Sequence, residues 1–464
     1  MRKPKVGLLG LTLEFYEKGL PDLRPGREDF VCQRVLPKLN SIADVKFTGA
    51  CFTREMVERA VATFEADGVD AILIILLSYS PSLITAPALL RTKIPIIIWN
   101  TQELAAVDNS YGIPGLLANH GVHGTFDLCN VLVRAGRRFE YVTGHIDDQK
   151  SVDELEDFFS AAAAVRRLGH ARLGLLGYPF PGMGDFGLDT TWMANILGCE
   201  WVTLAMSEYV NRCQEANQET ANDLVGCYRD AYDVAADVAA DDLAAAARAE
   251  LAMRGLVKDH RLDAFSYQFL AFGEDSRVET IPFVGASRLM ADGIGFGGEG
   301  DLIAAAGSAL LSWLHRPASF SEIFTIDFAG NSVLMSHMGE ANVAMCRRDR
   351  KIKLMRRPSL VPIQGNQLVL ATTFEPGDAT FMALTIGHGP RWKLISSHAK
   401  IEDFGPLDQL FVPHFKMRPA GEIREFLTAY AKAGGPHHLA VCFGDARRRI
   451  KMVAELLDAD YCEV

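Results

Sequence analysis

The chain has 464 residues, 49% of them apolar, and a formal net charge of −11. That length and apolar content give two to four domains with substantial cores and exclude disorder as the main state. The acidic balance, with no basic run longer than Arg447-Arg448-Arg449, argues against nucleic acid or an anionic membrane surface as a partner, and no apolar run reaches membrane-spanning length.

The start, Met1-Arg2-Lys3-Pro4, runs directly into a strand-like Lys5 to Gly10 without the apolar core of a signal peptide. The nine cysteines are scattered and form no C-x-x-C pair. Free thiols in a reducing cytoplasm are the expectation. KVGLLG at 5–10, DAILIILL at 70–77 and IPIIIW at 94–99 are short continuous apolar runs, the pattern of parallel strands buried on both faces, with helical patterns over 27–41 and 53–66 between them. This is the βαβ rhythm of an open doubly wound sheet, whose ligands sit beyond the carboxyl ends of its strands. Thr12, Glu14 and Tyr16, then Ser78 and Tyr79, then Asn100, Thr101 and Gln102 occupy such positions. No G-x-G-x-x-G follows the first strand, which disfavours a dinucleotide. A helix start follows at Asn119-His120-Gly121-Val122-His123-Gly124-Thr125, whose histidines either cap and pack or bind a polyol.

Around Leu168 the pattern resets. RLGLLG at 172–177 opens a second α/β unit and leads into the turn-rich loop Pro179 to Phe186. Residues 214–257, rich in good helix formers, read as one or two long scaffold helices, and 262–272 as a strand with its loop. GIGFGGEGDLIAAAGSALLSWL at 293–314 then delivers Glu299 and Asp301 to the mouth of a helix, with Asp301 as N-cap and an apolar face at Leu302, Ala305, Ala306, Ala309, Leu310 and Trp313. Two acids in that loop would repel a phosphate, so it is either an acid-bearing, metal-binding loop or the cap of a structural helix. From Ser319 the pattern becomes period-two. Residues 321–338 form a hairpin pattern turning at Ala329-Gly330-Asn331, 367–374 and 380–387 look antiparallel, and a helix near 445–457 precedes a last short strand. The expected fold is α/β, with two Rossmann-like doubly wound α/β domains, 1–168 and 169–318, followed by a β-rich C-terminal domain, 319–464.

Hard divalent cations favour carboxylate, imidazole and water, and Glu299, Glu322, His337 and His438 are candidates for such a site, although their spacing alone does not select them. The words AFSYQF, IPFVGASRLMADGIGFGGEGD, E-x-F-T-I-D-F and L-M-S-H-M-G-E follow one another between Leu262 and Asn342, and His437-His438 comes later. In that order they resemble the L-arabinose isomerase family, within the wider L-fucose/L-arabinose isomerase group. The resemblance implies that Glu299, Glu322, His337 and His438 ligate one Mn²⁺, with Co²⁺ or Mg²⁺ as substitutes, and that His437 lies beside the substrate. It further implies that Glu299 and Glu322 shuttle a proton between adjacent carbons of a free monosaccharide through an ene-diol. Tyr16, Asn119, His123 and Met183 would complete the sugar pocket, with sites shared between subunits of a homo-oligomer, a trimer or hexamer.

Departures from the family fall where the sugar would be recognised. The Q-H-L-Y-G word is replaced by Leu13-Glu14-Phe15-Tyr16-Glu17, and N-Q-T-A-H-G-G-R by Asn119 to Phe126. A contraction between Glu322 and His337 makes Asp327 a rival to Glu322, although Glu322, Phe324 and Ile326 share one strand face and Asp327 points to the other. Glu340, in SHMGEAN, either orients the site or is a surface acid. Two further readings stand beside the metal-dependent aldose–ketose isomerase: a non-catalytic sugar-binding or sensing protein, because paired α/β domains also build receptors, and a metal-dependent epimerase that uses the same ene-diol.

Overall fold

In the first 166 residues the continuous apolar runs become the middle of a parallel sheet. Its strands are β1 (Lys5–Leu11), β2 (Asp44–Cys51), β3 (Ala71–Leu76), β4 (Ile96–Asn100) and β5 (Glu140–Thr143), in the order β2-β1-β3-β4-β5. Every residue of β3 is buried. The outer strands β2 and β5 were not legible, because DVKFTGAC is exposed along much of its length and EYVT is short. The helical pattern over 27–41 resolves into helices Leu23–Phe30 and Leu36–Ile42 joined through a π-type stretch, Val31–Val35.

The computed structural model describes residues 2–363, 365–389 and 391–464, and divides the chain into two units, Met1–Arg166 and Arg167–Val464. The second unit holds three sheets. In chain order its strands are β6 (Arg172–Leu176), β7 (Glu200–Leu204), β8 (Tyr232–Val234), β9 (Ala264–Tyr267), β10 (Gly295–Gly297), β11 (Ala318–Asp327) and β12 (Ser332–Ser336). There follow β13 (Ile352–Arg357), β14 (Gln367–Ala371), β15 (Gly377–Ile386), β16 (Trp392–Ile401), β17 (His414–Pro419), β18 (His438–Phe443) and β19 (Asp460–Glu463). A four-stranded parallel sheet, β10-β9-β6-β7, is the α/β part. Antiparallel pairing along β15-β18-β11-β12-β17-β16 returns to β15 and closes a barrel, to whose β16 the terminal β19 adds in parallel. Closure removes the open edges that an antiparallel sheet otherwise leaves. β14-β13-β8 forms a small third sheet.

The helix Leu302–Leu314 joins the parallel sheet to the barrel. It packs against β6, β9 and β10 on one side and β11, β15 and β18 on the other. The sequence suggested one apolar face; instead all of its positions are buried, as its Leu, Ile, Ala, Gly and Ser content permits on every side. Asp301 caps it, with Oδ1 accepting from the Ala304 N–H at 2.8 Å. Among the described residues no helix is long and apolar enough to cross a membrane.

A buried charge network fixes the helix that leads into β10. Glu250, on helix Ala240–Asp259, is fully buried and accepts from the Tyr228 hydroxyl at 2.7 Å, Arg254 Nε at 2.8 Å and Arg288 Nε at 2.9 Å. Arg288 belongs to helix Phe283–Asp292, immediately before β10. Glu250→Ala removes the carboxylate shared by two guanidinium groups and leaves the buried Tyr228 hydroxyl without its acceptor, although Arg254 keeps Asp292 and Arg288 keeps the Tyr232 hydroxyl. A loss of about 3–5 kcal/mol is expected in urea unfolding, with Glu250→Gln intermediate.

Candidate active site and metal centre

Glu299 lies in the loop Gly298-Glu299-Gly300-Asp301 between β10 and the buried helix. Its own φ is +57° and that of Gly300 is +86°, the left-handed region that costs a side-chain-bearing residue roughly 1–2 kcal/mol. The surroundings enforce this turn. Ser266 Oγ, on β9, donates to the Gly297 carbonyl at 2.6 Å and accepts from the Gly300 N–H at 2.9 Å, while the Phe180 N–H donates to the Glu299 carbonyl at 2.9 Å. A Cβ on Gly300 would stand 2.5 Å from the Tyr178 carbonyl oxygen, so glycine is needed there.

Barrel pairing supplies the other side chains. Glu322 on β11 is directly opposite His438 on β18 and Ser336 on β12, and His337 follows Ser336. The loop after β6 adds Asp185, and the chain before β18 adds His437. One ligand atom from each of Glu299, Glu322, His437 and His438 lies within 4.8 Å of all the others. His438 Nε2 is 2.8 Å from Glu322 Oε1 and 3.7 Å from Glu299 Oε2; His437 Nε2 is 3.8 Å from Glu299 Oε2 and 3.9 Å from Glu322 Oε1. His337 Nε2 is also 3.9 Å from Glu322 Oε1. Each imidazole turns its other nitrogen outward to a carboxylate, His438 Nδ1 to Asp301 at 2.9 Å, His437 Nδ1 to Asp185 at 2.5 Å and His337 Nδ1 to Glu340 at 2.5 Å. Phe320 packs edge-on against His337 and His438, and Phe186 stacks on His438.

One buried atom in this cluster, Glu299 Oε2, has no hydrogen-bond partner, which costs about 1–3 kcal/mol if nothing else engages it, while His438 Nε2 is turned into the same space with Glu322 Oε1 beside it at 2.8 Å. Oxygen and imidazole donors converging without sulfur suit a divalent cation of hard or borderline character. The residues present therefore fit such an ion.

The sequence candidates separate into two groups. Glu299, Glu322, His337, His437 and His438 come together in the second unit. Tyr16, Asn119 and His123 lie in the first, where the Tyr16 hydroxyl is 3.3 Å from His120 Nδ1 and His123 stacks on Tyr79 with ring centroids 4.7 Å apart. Asn119 is committed to the backbone of Leu104 through both amide atoms. Met183 is half-buried in the loop that carries Asp185, its N–H donating to the Phe180 carbonyl at 3.4 Å. The bulge between Ile323 and Thr325 resets the alternation, so Asp327 does not oppose Glu322 across the strand as the sequence suggested; it is excluded instead by its own partners, the hairpin Gly330 N–H and Lys416, and Glu322 is the acid that faces the histidines. Sequence reasoning missed Asp185 and the Asp301–His438 contact, although both acids lay in words it had singled out; nothing in the sequence marked Phe320.

Three family models match the chain in succession. The fucose/sulfoquinovose isomerase N-terminal domain matches residues 31–169, the L-arabinose isomerase central domain 189–315 and the L-arabinose isomerase C-terminal domain 317–460. The L-arabinose isomerase of Acidothermus cellulolyticus is 27% identical over 88% of this chain and 82% of its own. Those of a Nocardioides species and of Geobacillus thermodenitrificans are 25% and 24% identical, each over 82% of this chain and over 79% and 77% of their own. The chain belongs to the L-arabinose isomerase family. A solved periplasmic solute-binding protein from Actinobacillus succinogenes with bound D-allose aligns with 60% of this chain and 84% of its own at 15% identity, but at a TM-score of 0.16 it bears on nothing here.

The charges are tightly coupled. Burial pushes the Glu322 carboxyl up, but His438, His337 and His437 beside it bring it below the ordinary range. Burial pushes His438 down, and Asp301 and Glu322 more than reverse this, raising it to about 9; His437 reaches about 9 through Glu299 and Asp185 against the same penalty. A histidine whose folded pKa exceeds its unfolded value of about 6.5 contributes stability below pH 6.5 and loses it as pH rises through 9. The chelator-treated protein should therefore show a falling thermal midpoint between pH 6.5 and 9.5, and His438→Gln should flatten that decline.

Proposed function

We propose that this protein is a divalent-metal-dependent aldose–ketose isomerase acting on a free monosaccharide. As a member of its family the chain is an intramolecular oxidoreductase; the metal, the residue roles and the assembly are our reading. The observation that carries it is the convergence of Glu299, Glu322, His437 and His438 on one small volume, into which the buried Glu299 Oε2 points without a hydrogen bond. Glu299, Glu322, His337 and His438 would hold the ion, with Mn²⁺ preferred and Co²⁺ or Mg²⁺ as substitutes. His337 is assigned above His437 because its ring is buried, whereas His437 is more than a third exposed at the mouth and better placed to touch sugar. Such an ion would supply Lewis-acid polarisation of the substrate's carbonyl and hydroxyl oxygens, which would acidify the C2 proton.

The chain's own residues then move protons. Glu299, fixed by its left-handed turn, takes the proton from C2 and returns it to C1. Glu322, held ionised by the imidazoles around it, handles the proton between O1 and O2. His437, oriented by Asp185, donates to a substrate hydroxyl. Phe186 and Phe320 keep bulk water from the inner face. Tyr16, His123, Asn119 and Met183 are assigned to sugar recognition in a homo-oligomer, trimer or hexamer, with shared sites; exposed Phe15, Ile113 and Phe126 on the first unit support an assembly. The unpaired state of all nine cysteines supports a cytoplasmic location. We read 1–168, 169–318 and 319–464 as the three domains of this enzyme.

The deciding experiment measures ketose formation from pentoses, hexoses and deoxyhexoses by chelator-stripped protein, with and without added Mn²⁺. Turnover restored by the metal is expected. Saturable sugar binding without turnover would favour a sensing protein, and inversion at C2 without ketose an epimerase. Glu299→Gln should lower kcat by about 10²–10⁴-fold with an unchanged unfolding transition; full activity in that variant would remove Glu299 from the proton path.

A further inference from the structure

Of the acids that hold the site's histidines, Glu340 is the one the chemistry above leaves without a task. It is 2% exposed. Its Oε2 stands 2.5 Å from His337 Nδ1, and its Oε1 accepts from the hydroxyl of Tyr267, which is itself buried on β9. The residues between His337 and Glu340 are held as well, since Arg357 at the end of β13 donates to the Met338 carbonyl. A line of partners thus runs from the parallel sheet, through Tyr267 and Glu340, to the imidazole at the end of barrel strand β12.

We infer that Glu340, held by Tyr267, is a positioning residue for His337 that fixes its tautomer and ring orientation for metal binding. The inference rests on the ligand set proposed above. With Nδ1–H donated to Glu340, the ring hydrogen is on the outward nitrogen and the Nε2 lone pair faces inward. The inward side is kept clear. A Cβ on Gly298 would lie 2.8 Å from His337 Nε2, so only glycine leaves that nitrogen open, and Phe320 sets the ring plane with centroids 4.8 Å apart at 80°. Without an acceptor at Nδ1 the neutral ring would be free to carry its hydrogen on Nε2, which cannot then ligate. Tyr267 matters because it occupies the other carboxylate oxygen and stops Glu340 from rotating toward the interior. The charge of Glu340 also raises the basicity of the ring it holds, which strengthens the bond Nε2 makes to a cation.

The test is Mn²⁺ affinity, measured by calorimetry on the full-length chelator-stripped protein, alongside the unfolding midpoint of each metal-free variant. Glu340→Ala should weaken Mn²⁺ binding by about 10–100-fold. Glu340→Gln keeps an oxygen for Nδ1–H and should recover most of the loss, whereas Glu340→Asp, one methylene shorter, should not. Tyr267→Phe should lose less affinity than Glu340→Ala. A purely structural role would lower the metal-free midpoint and leave the affinity of every folded variant within about twofold of the parent, and that result overturns the inference. If Glu340→Ala fails to fold, the Gln and Asp variants decide, and equal affinity in both overturns it. A parent protein that binds no Mn²⁺ overturns the ligand set itself, whereas a parent that binds while the Glu340 variants bind as well removes only the role given to Glu340.

Discussion

Glu322 and His438 face each other across β11 and β18, and the geometry of the cluster follows from that one register. Side chains alternate along a strand, so a slip of one residue would turn Glu322 to the far face and bring Ser321 or Ile323 in its place. The register is held at both ends of the ladder. β11 pairs over five residues with β18 and, through a bulge between Ile323 and Thr325, with β12, while β12 pairs on with β17 and the ring returns through β16 and β15 to β18. In a closed barrel no strand slides without moving its neighbours. Ser336 is thereby fixed opposite Glu322, and His337 enters the site as the next residue.

Much of this was legible because the chain uses strong local signals. Three buried parallel strands were readable from unbroken apolar runs, and the β11–β12 hairpin from period-two alternation with a Gly-Asn turn. The Gly-Glu-Gly-Asp word announced an acid on a tight turn, and Asp301 does cap the helix that follows. What failed to show was tertiary. EYVT and DVKFTGAC owe their strand state to a neighbour rather than to composition. The helix Leu302–Leu314 reads as amphipathic when alanine is counted on one face only, yet the parallel sheet and the barrel both press on it and every side is core. His438 is more than a hundred residues from Glu322 and from Glu299; strand pairing makes it a neighbour of the first, and the helix Leu302–Leu314, packed on both β10 and β18, brings it to the second. The family words named most of the cluster; the carboxylates that hold each imidazole, Asp185 above all, come from loops whose sequence carries no periodicity.

The cluster also shows how like and unlike charges are kept together in a confined space. Glu299 and Glu322 point at one small volume, and their mutual repulsion would be severe without the imidazoles of His437 and His438 beside them. In the metal-free chain that role falls to protonated His437 and His438, as their raised pKa values express. A divalent ion held there, as proposed, would supply the same positive charge more compactly, and its binding would expel the ligand proton. The outward carboxylates keep their partners through that exchange, because Nδ1 retains its hydrogen whether or not Nε2 carries one.

Burial is graded across the site, in line with the two tasks proposed for it. His438 and His337 are almost wholly enclosed, backed by Phe320, and Glu299 and Glu322 are mostly covered. His437 and Asp185 are each more than a third exposed on the loop side. At the inner end a fixed charge is worth most, since water does not screen it, and rigid barrel strands hold the donors there. At the outer end, where the proposed reading puts the sugar, a partly solvated pair on a loop would let a polyol shed its own water and leave again. The same gradient explains why the strained residue is Glu299. It stands where the loop meets the buried helix, so its main chain is locked by β9 and the Phe180 N–H while its carboxylate reaches from the inner donors toward the open side.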